Sequence, residues 1–330
     1  MNKIKWGILG CGSVTEVKSG PAFNLVDNSQ LVAVMRRNAQ KAADYAKRHN
    51  VSKWFSNADE LINDPDVNAI YIATPPNAHA ELSLKALKAG KPVYVEKPMA
   101  LNYAQCQNMV KASEQYKTPL FVAYYRRSLP GFKKVKELVD TGAIGPIKII
   151  NIQLYKPLSK NEISGNLPWR VQPDISGGGH FVDLASHQLD YLDFLFGSVK
   201  EIVSIAINQT GKYDAEDIVT AGFLFNDDII ANCSWCFSVP DYLQRDSIEI
   251  IGTKGSIEFT CFNFTPIKLI TSKGTQTFDY PRPKHVQYYL IQEVVNALLG
   301  KGKAPTEGNI AARTSWVMDE VLKEYYKNIN

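Results

Sequence analysis

The 330-residue chain lacks any apolar run long enough to cross a bilayer as a helix. Its basic start, Met1-Asn2-Lys3-Ile4-Lys5-Trp6, leads into an apolar stretch too short for a secretory signal, so a cytoplasmic protein is expected. There is no block of like charge either. The 37 Lys and Arg are interspersed with 33 Asp and Glu, leaving a net charge of +4 and no electrostatic footprint for nucleic acid. Cysteine is scarce and odd in number. Five thiols in so long a chain argue against a disulfide framework and for a reducing compartment. Cys233 and Cys236 have the spacing of a redox pair, but Ile229 to Phe237 reads as a strand, on which residues three apart face opposite sides. Cys11, Cys106 and Cys261 stand alone, so no second close pair completes a zinc site. Internal repeats and low-complexity tracts are absent.

What the chain does have is apolar material for two cores, 45% of its residues, and an alternating strand and helix pattern in its first third. Ile4 to Leu9 reads as a strand running into Gly10-Cys11-Gly12-Ser13-Val14-Thr15. Gly10 allows the tight turn, Gly12 lets backbone approach a pyrophosphate, and Ser13 and Val14 open a helix whose amides face that charge. Thr15 stands where a third glycine is usual and is expected to loosen strand-to-helix packing, while Pro21 limits the helix. The second strand, Leu31 to Met35, ends not in an acid for a ribose 2′-hydroxyl but in Arg36-Arg37, which suit a 2′-phosphate. NADP(H) is therefore expected over NAD(H).

Further strands at Ala69 to Ala73 and Val93 to Val95 end in Thr74-Pro75-Pro76 and Glu96-Lys97-Pro98. Ligands of open α/β sheets bind at such carboxyl ends. That places Thr74, Pro75, Asn77, His79, Glu96 and Lys97 around a dinucleotide, with Asn77 expected to cap the helix from Ala78. Gly10-Cys11-Gly12, Ala73-Thr74-Pro75 with His79, and Ala89-Gly90-Lys91-Pro92-Val93-Tyr94-Val95-Glu96-Lys97-Pro98 together resemble the glucose-fructose oxidoreductase/inositol dehydrogenase/rhizopine catabolism (Gfo/Idh/MocA) family. The similarity covers nearly the whole chain. It implies an α/β protein with an N-terminal Rossmann dinucleotide-binding domain, residues 1–123. Residues 124–330 would form a C-terminal α/β domain with a large, mostly antiparallel open sheet that serves substrate binding and homodimer or homotetramer assembly. It also implies a nicotinamide cofactor acting on sugars, polyols or related carbonyls, a catalytic Lys97, a cis Lys97-Pro98 bond, and Trp169-Arg170 close to cofactor and substrate. Arg36 and Arg37 resemble the NADP-using branch.

In the second half, Ser176-Gly177-Gly178-Gly179 leads into a helix that sets His180, Asp183, His187 and Asp190 on one stripe. Two chemistries could use it. The stripe could ligate a divalent metal, or His187 could carry the proton of an alcohol/carbonyl pair. The Asp183-x-x-x-His187 arrangement resembles the family's catalytic pair, which favours hydride transfer without metal. In that scheme Lys97 hydrogen-bonds the reacting oxygen and Asp183 orients His187 or a neighbouring hydroxyl. Tyr155, Arg170 and Tyr288 are polar candidates for substrate hydroxyls. A dinucleotide- or sugar-sensing regulator, and a glycoside-cleaving enzyme that recycles a tightly bound NAD, are the alternatives. Strands from Ile202 to Thr271 build the second sheet, and helices at Val286 to Leu299 and Ala311 to Lys327 close the chain.

Overall fold

The computed structural model describes residues 2–327. Short apolar, β-forming runs form a six-stranded parallel sheet: β1 (Ile4–Leu9), β2 (Ser29–Met35), β3 (Lys53–Phe55), β4 (Ala69–Ile72), β5 (Val93–Val95) and β6 (Leu120–Val122). Their order is β3-β2-β1-β4-β5-β6, so the winding reverses between β1 and β4 and opens a crevice at the strands' carboxyl ends. β4 and β5 are buried along their whole length, as strands covered on both faces must be. Asparagines start the flanking helices: Asn38, Asn57 and Asn102 accept from the amides of Lys41, Asp59 and Gln105. Each such cap stabilises its helix by about 1 kcal/mol. Asn77 does not act this way. It lies exposed inside a 3₁₀ turn, Pro76–Ala78, and the helix His79–Lys88 starts without a side-chain cap.

The first unit comprises Met1–Leu129 and Pro283–Ala312, and the second Pro130–Arg282 and Arg313–Asn330. The boundary read from the sequence, between 123 and 124, misses the return of 283–312. The reason is apolar: Leu290, Ile291, Val294 and Val295 of the helix Tyr288–Leu298 are buried in one core cluster with Trp6, Phe23, Tyr71 and Tyr94. Thr15 also departs from expectation. It is fully buried, its hydroxyl donates to Gly12 O (2.9 Å) and accepts from Gly12 N (3.0 Å), and Tyr45 donates to its carbonyl. A hydroxyl tie thus replaces the missing glycine, and the helix it starts, Ser13–Val17, is short.

The second unit holds β7 (Ile147–Tyr155), β8 (Glu201–Ile207), β9 (Ile218–Leu224), β10 (Ile230–Cys236), β11 (Arg245–Gly252), β12 (Gly255–Phe259), β13 (Ile267–Thr271) and β14 (Gly274–Phe278). They form one sheet in the order β14-β13-β12-β11-β7-β10-β9-β8, antiparallel except for the β7–β10 pair. β14 is almost wholly exposed and carries no apolar alternation, which is why the sequence does not announce it. One face is apolar, with Leu154, Phe223, Trp235, Ile250 and Phe259 buried. The helix Ser186–Phe196 and the turn before it cover this face: Phe181 meets Trp235 edge-on at 4.9 Å, and Trp235 Nε1 donates to Gln188 Oε1. The other face bears Asn151, Gln153 and Ser234, with Val203 and Ile205 78% and 64% exposed. Cys233 is buried on the first face and Cys236 half-buried on the second, and among the described residues no disulfide forms. Among the same residues no helix is long and apolar enough to cross a membrane.

Candidate active site

In the first unit, β1 is followed by Gly10, whose φ of +90° is costly for any residue with a Cβ. The turn brings Gly10 so close to Thr74 that an added Cβ would lie 2.7 Å from the Thr74 side chain and 2.8 Å from its amide. Gly12 is different. A Cβ there would meet Gly10 O at 3.8 Å and nothing nearer, so the space in front of it is open. Thr74 Oγ1 is buried with no hydrogen-bond partner, at the start of the Thr74-Pro75 turn. Half-buried Arg36 and exposed Arg37 follow β2, with Arg36 N held by Phe55 O. An open approach at glycine, an unsatisfied hydroxyl and two guanidiniums fit a dinucleotide. Gly10, Gly12, Ser13, Val14, Thr74, Pro75, Arg36 and Arg37 would hold it.

Two residues placed at the cofactor by sequence turn out to shape the crevice from behind. Glu96 is buried, and its Oε1 accepts from the Tyr71 hydroxyl and from Gln287 Nε2. Gln287 Oε1 in turn accepts from Tyr94, and Tyr71 also reaches Ser19. Burial, with the Glu96 charge next in weight, pushes the Tyr71 hydroxyl well above its ordinary pKa, so it stays a donor. This carboxylate fixes the end of β5, and with it the start of half-buried Lys97 and its cis bond to Pro98. His79 is fully buried, its Nδ1 2.9 Å from Pro98 O and its Nε2 2.8 Å from Thr74 O. Burial pushes its pKa down, against the pull of those two carbonyls. It ties the β4 turn to the β5 turn rather than facing a ligand.

In the second unit the stripe is broken at its start. Residues Phe181–Ala185 form a π-turn before the α-helix begins at Ser186, a widening frequent at functional sites. His180 is taken by a residue the motif reading missed: its Nε2 lies 2.5 Å from Glu162 Oε1. Glu162 is 1% exposed and also receives the Ser159 amide. The Ser159-x-x-Glu162 capping box was the available signal for it. Burial raises the Glu162 pKa, but the bonds from His180 and Ser159 prevail and hold it at about 2. Its stabilisation is therefore complete above the ordinary carboxylate range and disappears as pH falls from about 4.5 toward 2. Glu162→Gln is expected to melt below wild type at pH 6, with the gap narrowed to about half or less by pH 3. A constant gap in melting temperature would refute the linkage.

The segment capped by Ser159 also carries Trp169-Arg170. Arg170 lies over the Trp169 ring at 4.5 Å and donates through Nε to Asp183 Oδ2 at 3.1 Å. His187 is 4% exposed, its ring centroid 6.1 Å from that of Phe262. Arg170, Asp183 and His187 are thus gathered on the helical side of the sheet. Tyr155 is not among them: its hydroxyl pairs with Ser234 Oγ on the opposite face. Tyr288 belongs to the first unit, packed against that unit's core.

The first part of the chain, residues 4–124, matches the model of the oxidoreductase family with an NAD-binding Rossmann fold, and residues 132–258 match the C-terminal domain of the same family. Oxidoreductase P35 of Formosa agariphila is 40% identical over 96% of this chain and 98% of its own. Trans-1,2-dihydrobenzene-1,2-diol dehydrogenase of Xenopus laevis is 27% identical over 84% and 81%. The solved structure of levoglucosan dehydrogenase in complex with NADH and levoglucosan shares the fold, with a TM-score of 0.87 at 21% identity over 98% of both chains. With a nucleotide crevice at the β1–β4 reversal and both family domains in order, the chain belongs to the Gfo/Idh/MocA oxidoreductases.

Proposed function

We propose that the protein is an NADP(H)-preferring dehydrogenase or reductase that acts on the CH–OH or carbonyl group of a sugar, polyol or related small molecule. The observation that carries this reading is the open approach at Gly12 together with Arg36 and Arg37 after β2. The names of two relatives support the substrate class, since dihydrobenzenediol and levoglucosan both present secondary hydroxyls on a ring. When bound, the nicotinamide supplies the hydride acceptor or donor. The protein's part is to handle the proton and the charge on oxygen. His187 takes the hydroxyl proton in oxidation and returns it in reduction. Lys97 donates a hydrogen bond to the same oxygen and stabilises negative charge developing there. Asp183, held by Arg170, orients His187 or a neighbouring hydroxyl.

A fluorescence titration with NADPH and NADH tests the cofactor half. Charge-assisted bonds to a 2′-phosphate are worth about 1.5–3 kcal/mol, so NADPH is expected to bind roughly tenfold to 150-fold more tightly. Arg36→Ala with Arg37→Ala should erase that margin while leaving NADH affinity in place. Equal dissociation constants in the wild type would end the NADP preference. Binding of neither nucleotide, with none released on denaturation, would end the oxidoreductase reading at this site.

The open sheet face is the proposed surface of a homodimer or homotetramer, with Val203 and Ile205 as its apolar anchors. Ile205→Asp is expected to shift the sedimentation coefficient to that of a smaller species. A wild type that already sediments as a monomer would overturn the assembly. The cytoplasm is the proposed compartment, on the small and odd number of cysteines.

A further inference from the structure

The loop between β12 and β13, residues 260–266, is held by more bonds than a surface turn needs. Asp246 on β11 accepts three successive backbone amides: Cys261 at 2.9 Å, Phe262 at 2.6 Å and Asn263 at 2.9 Å. Such bonds to a carboxylate are charge-assisted and among the stronger ones. At the base of the loop, the Thr265 amide donates to Thr260 Oγ1 and the two hydroxyls lie 3.1 Å apart. Phe264 sits at φ +52°, a region bulky residues occupy only where their surroundings hold them there. All of this fixes the position of half-exposed Phe262, whose ring stands at 71° to that of His187.

A rigid aromatic beside the proton carrier gives the site a flat apolar wall. A ring-shaped polyol with equatorial hydroxyls has a matching surface, because its carbon-bound hydrogens gather on its faces while its hydroxyls point to the rim. An open-chain polyol has no such fixed face. We propose that Phe262 is a specificity-determining residue that favours cyclic over open-chain polyols, and that Asp246 is the positioning residue that sets it. This rests on the reading of His187 as proton carrier.

The test compares kcat/KM for 1,5-anhydro-D-glucitol, whose ring hydroxyls are all equatorial, and D-sorbitol, with nicotinamide cofactor saturating, in the wild type, Phe262→Ala, Phe262→Tyr, Asp246→Asn and His187→Ala. The wild type is expected to prefer the anhydroglucitol. Phe262→Ala lowers kcat/KM for the anhydroglucitol about tenfold to a hundredfold, the usual scale for one apolar pocket contact, and changes sorbitol little. Asp246→Asn moves the ratio in the same direction. Phe262→Tyr keeps the ring and restores the ratio, which separates loss of the wall from a folding defect. Equal losses on both substrates, no loss on either, or a wild type that turns over sorbitol as well as the anhydroglucitol or turns over neither would overturn the proposal. Retained turnover in His187→Ala is the separate sign that the proton-carrier reading has failed.

Discussion

His187→Ala is expected to lower turnover by about 10²–10⁴-fold, the range a positioned general acid–base group supplies. His187 is the second residue of the α-helix that follows the π-turn, a helix packed against the apolar face of the second sheet, and is nearly enclosed. A side chain so placed loses little entropy on meeting a substrate, so its removal is expected to show in kcat more than in nucleotide affinity. Lys97→Met is expected to cost the same order, because Glu96 anchors the backbone just before it and a neutral thioether cannot stabilise an alkoxide. Steady-state kinetics together with NADPH titration of each variant separates the two effects. Unchanged kcat in either variant would remove that residue from the mechanism.

The second large effect is expected at Gly10. An alanine there must hold φ +90° with its Cβ within 3 Å of Thr74 backbone and side chain. Backbone strain of this kind costs about 1–3 kcal/mol and forced overpacking about 1–3 more, against total stabilities of about 5–15 kcal/mol. Gly10→Ala is therefore expected to lower the urea midpoint sharply. Gly12→Ala provides the contrast. Its Cβ meets nothing nearer than 3.8 Å, so the fold is expected to hold while the methyl group fills the space a pyrophosphate would take. Stability lost at Gly10 and nucleotide affinity lost at Gly12 would tell the turn's two glycines apart. Equal urea midpoints for the two variants would contradict this division.

Local features were the legible ones. The β1 turn, the arginines after β2 and the strand before Glu96-Lys97-Pro98 can be read because each is a short run with its chemistry at the end. The strands of the second sheet were legible in the same way, and its mostly antiparallel order followed from the family resemblance. Contacts made across long stretches of chain left little trace. Nothing around Gln287 announces that it will meet Glu96, and nothing around Phe262 announces His187. Helical periodicity assigned His180 to a common stripe with Asp183 and His187, since a pattern of residue types cannot show a π-turn or a buried carboxylate waiting at Glu162. A charged residue at a strand's carboxyl end suggests a ligand, and nothing in the sequence shows that Glu96 also accepts from Tyr71 and Gln287.

The return of residues 283–312 to the first unit bears on the order in which the protein is made. A ribosome releases all six parallel strands long before it releases the helix that carries Leu290, Ile291, Val294 and Val295. Until then the Trp6 and Tyr94 core lacks one wall, and Glu96 lacks the amide of Gln287. The second sheet, wholly encoded between, can pair its strands first. The domain that begins the chain thus waits for residues encoded beyond the whole second sheet, and a nascent chain halted before residue 283 would hold a nucleotide crevice without its backing.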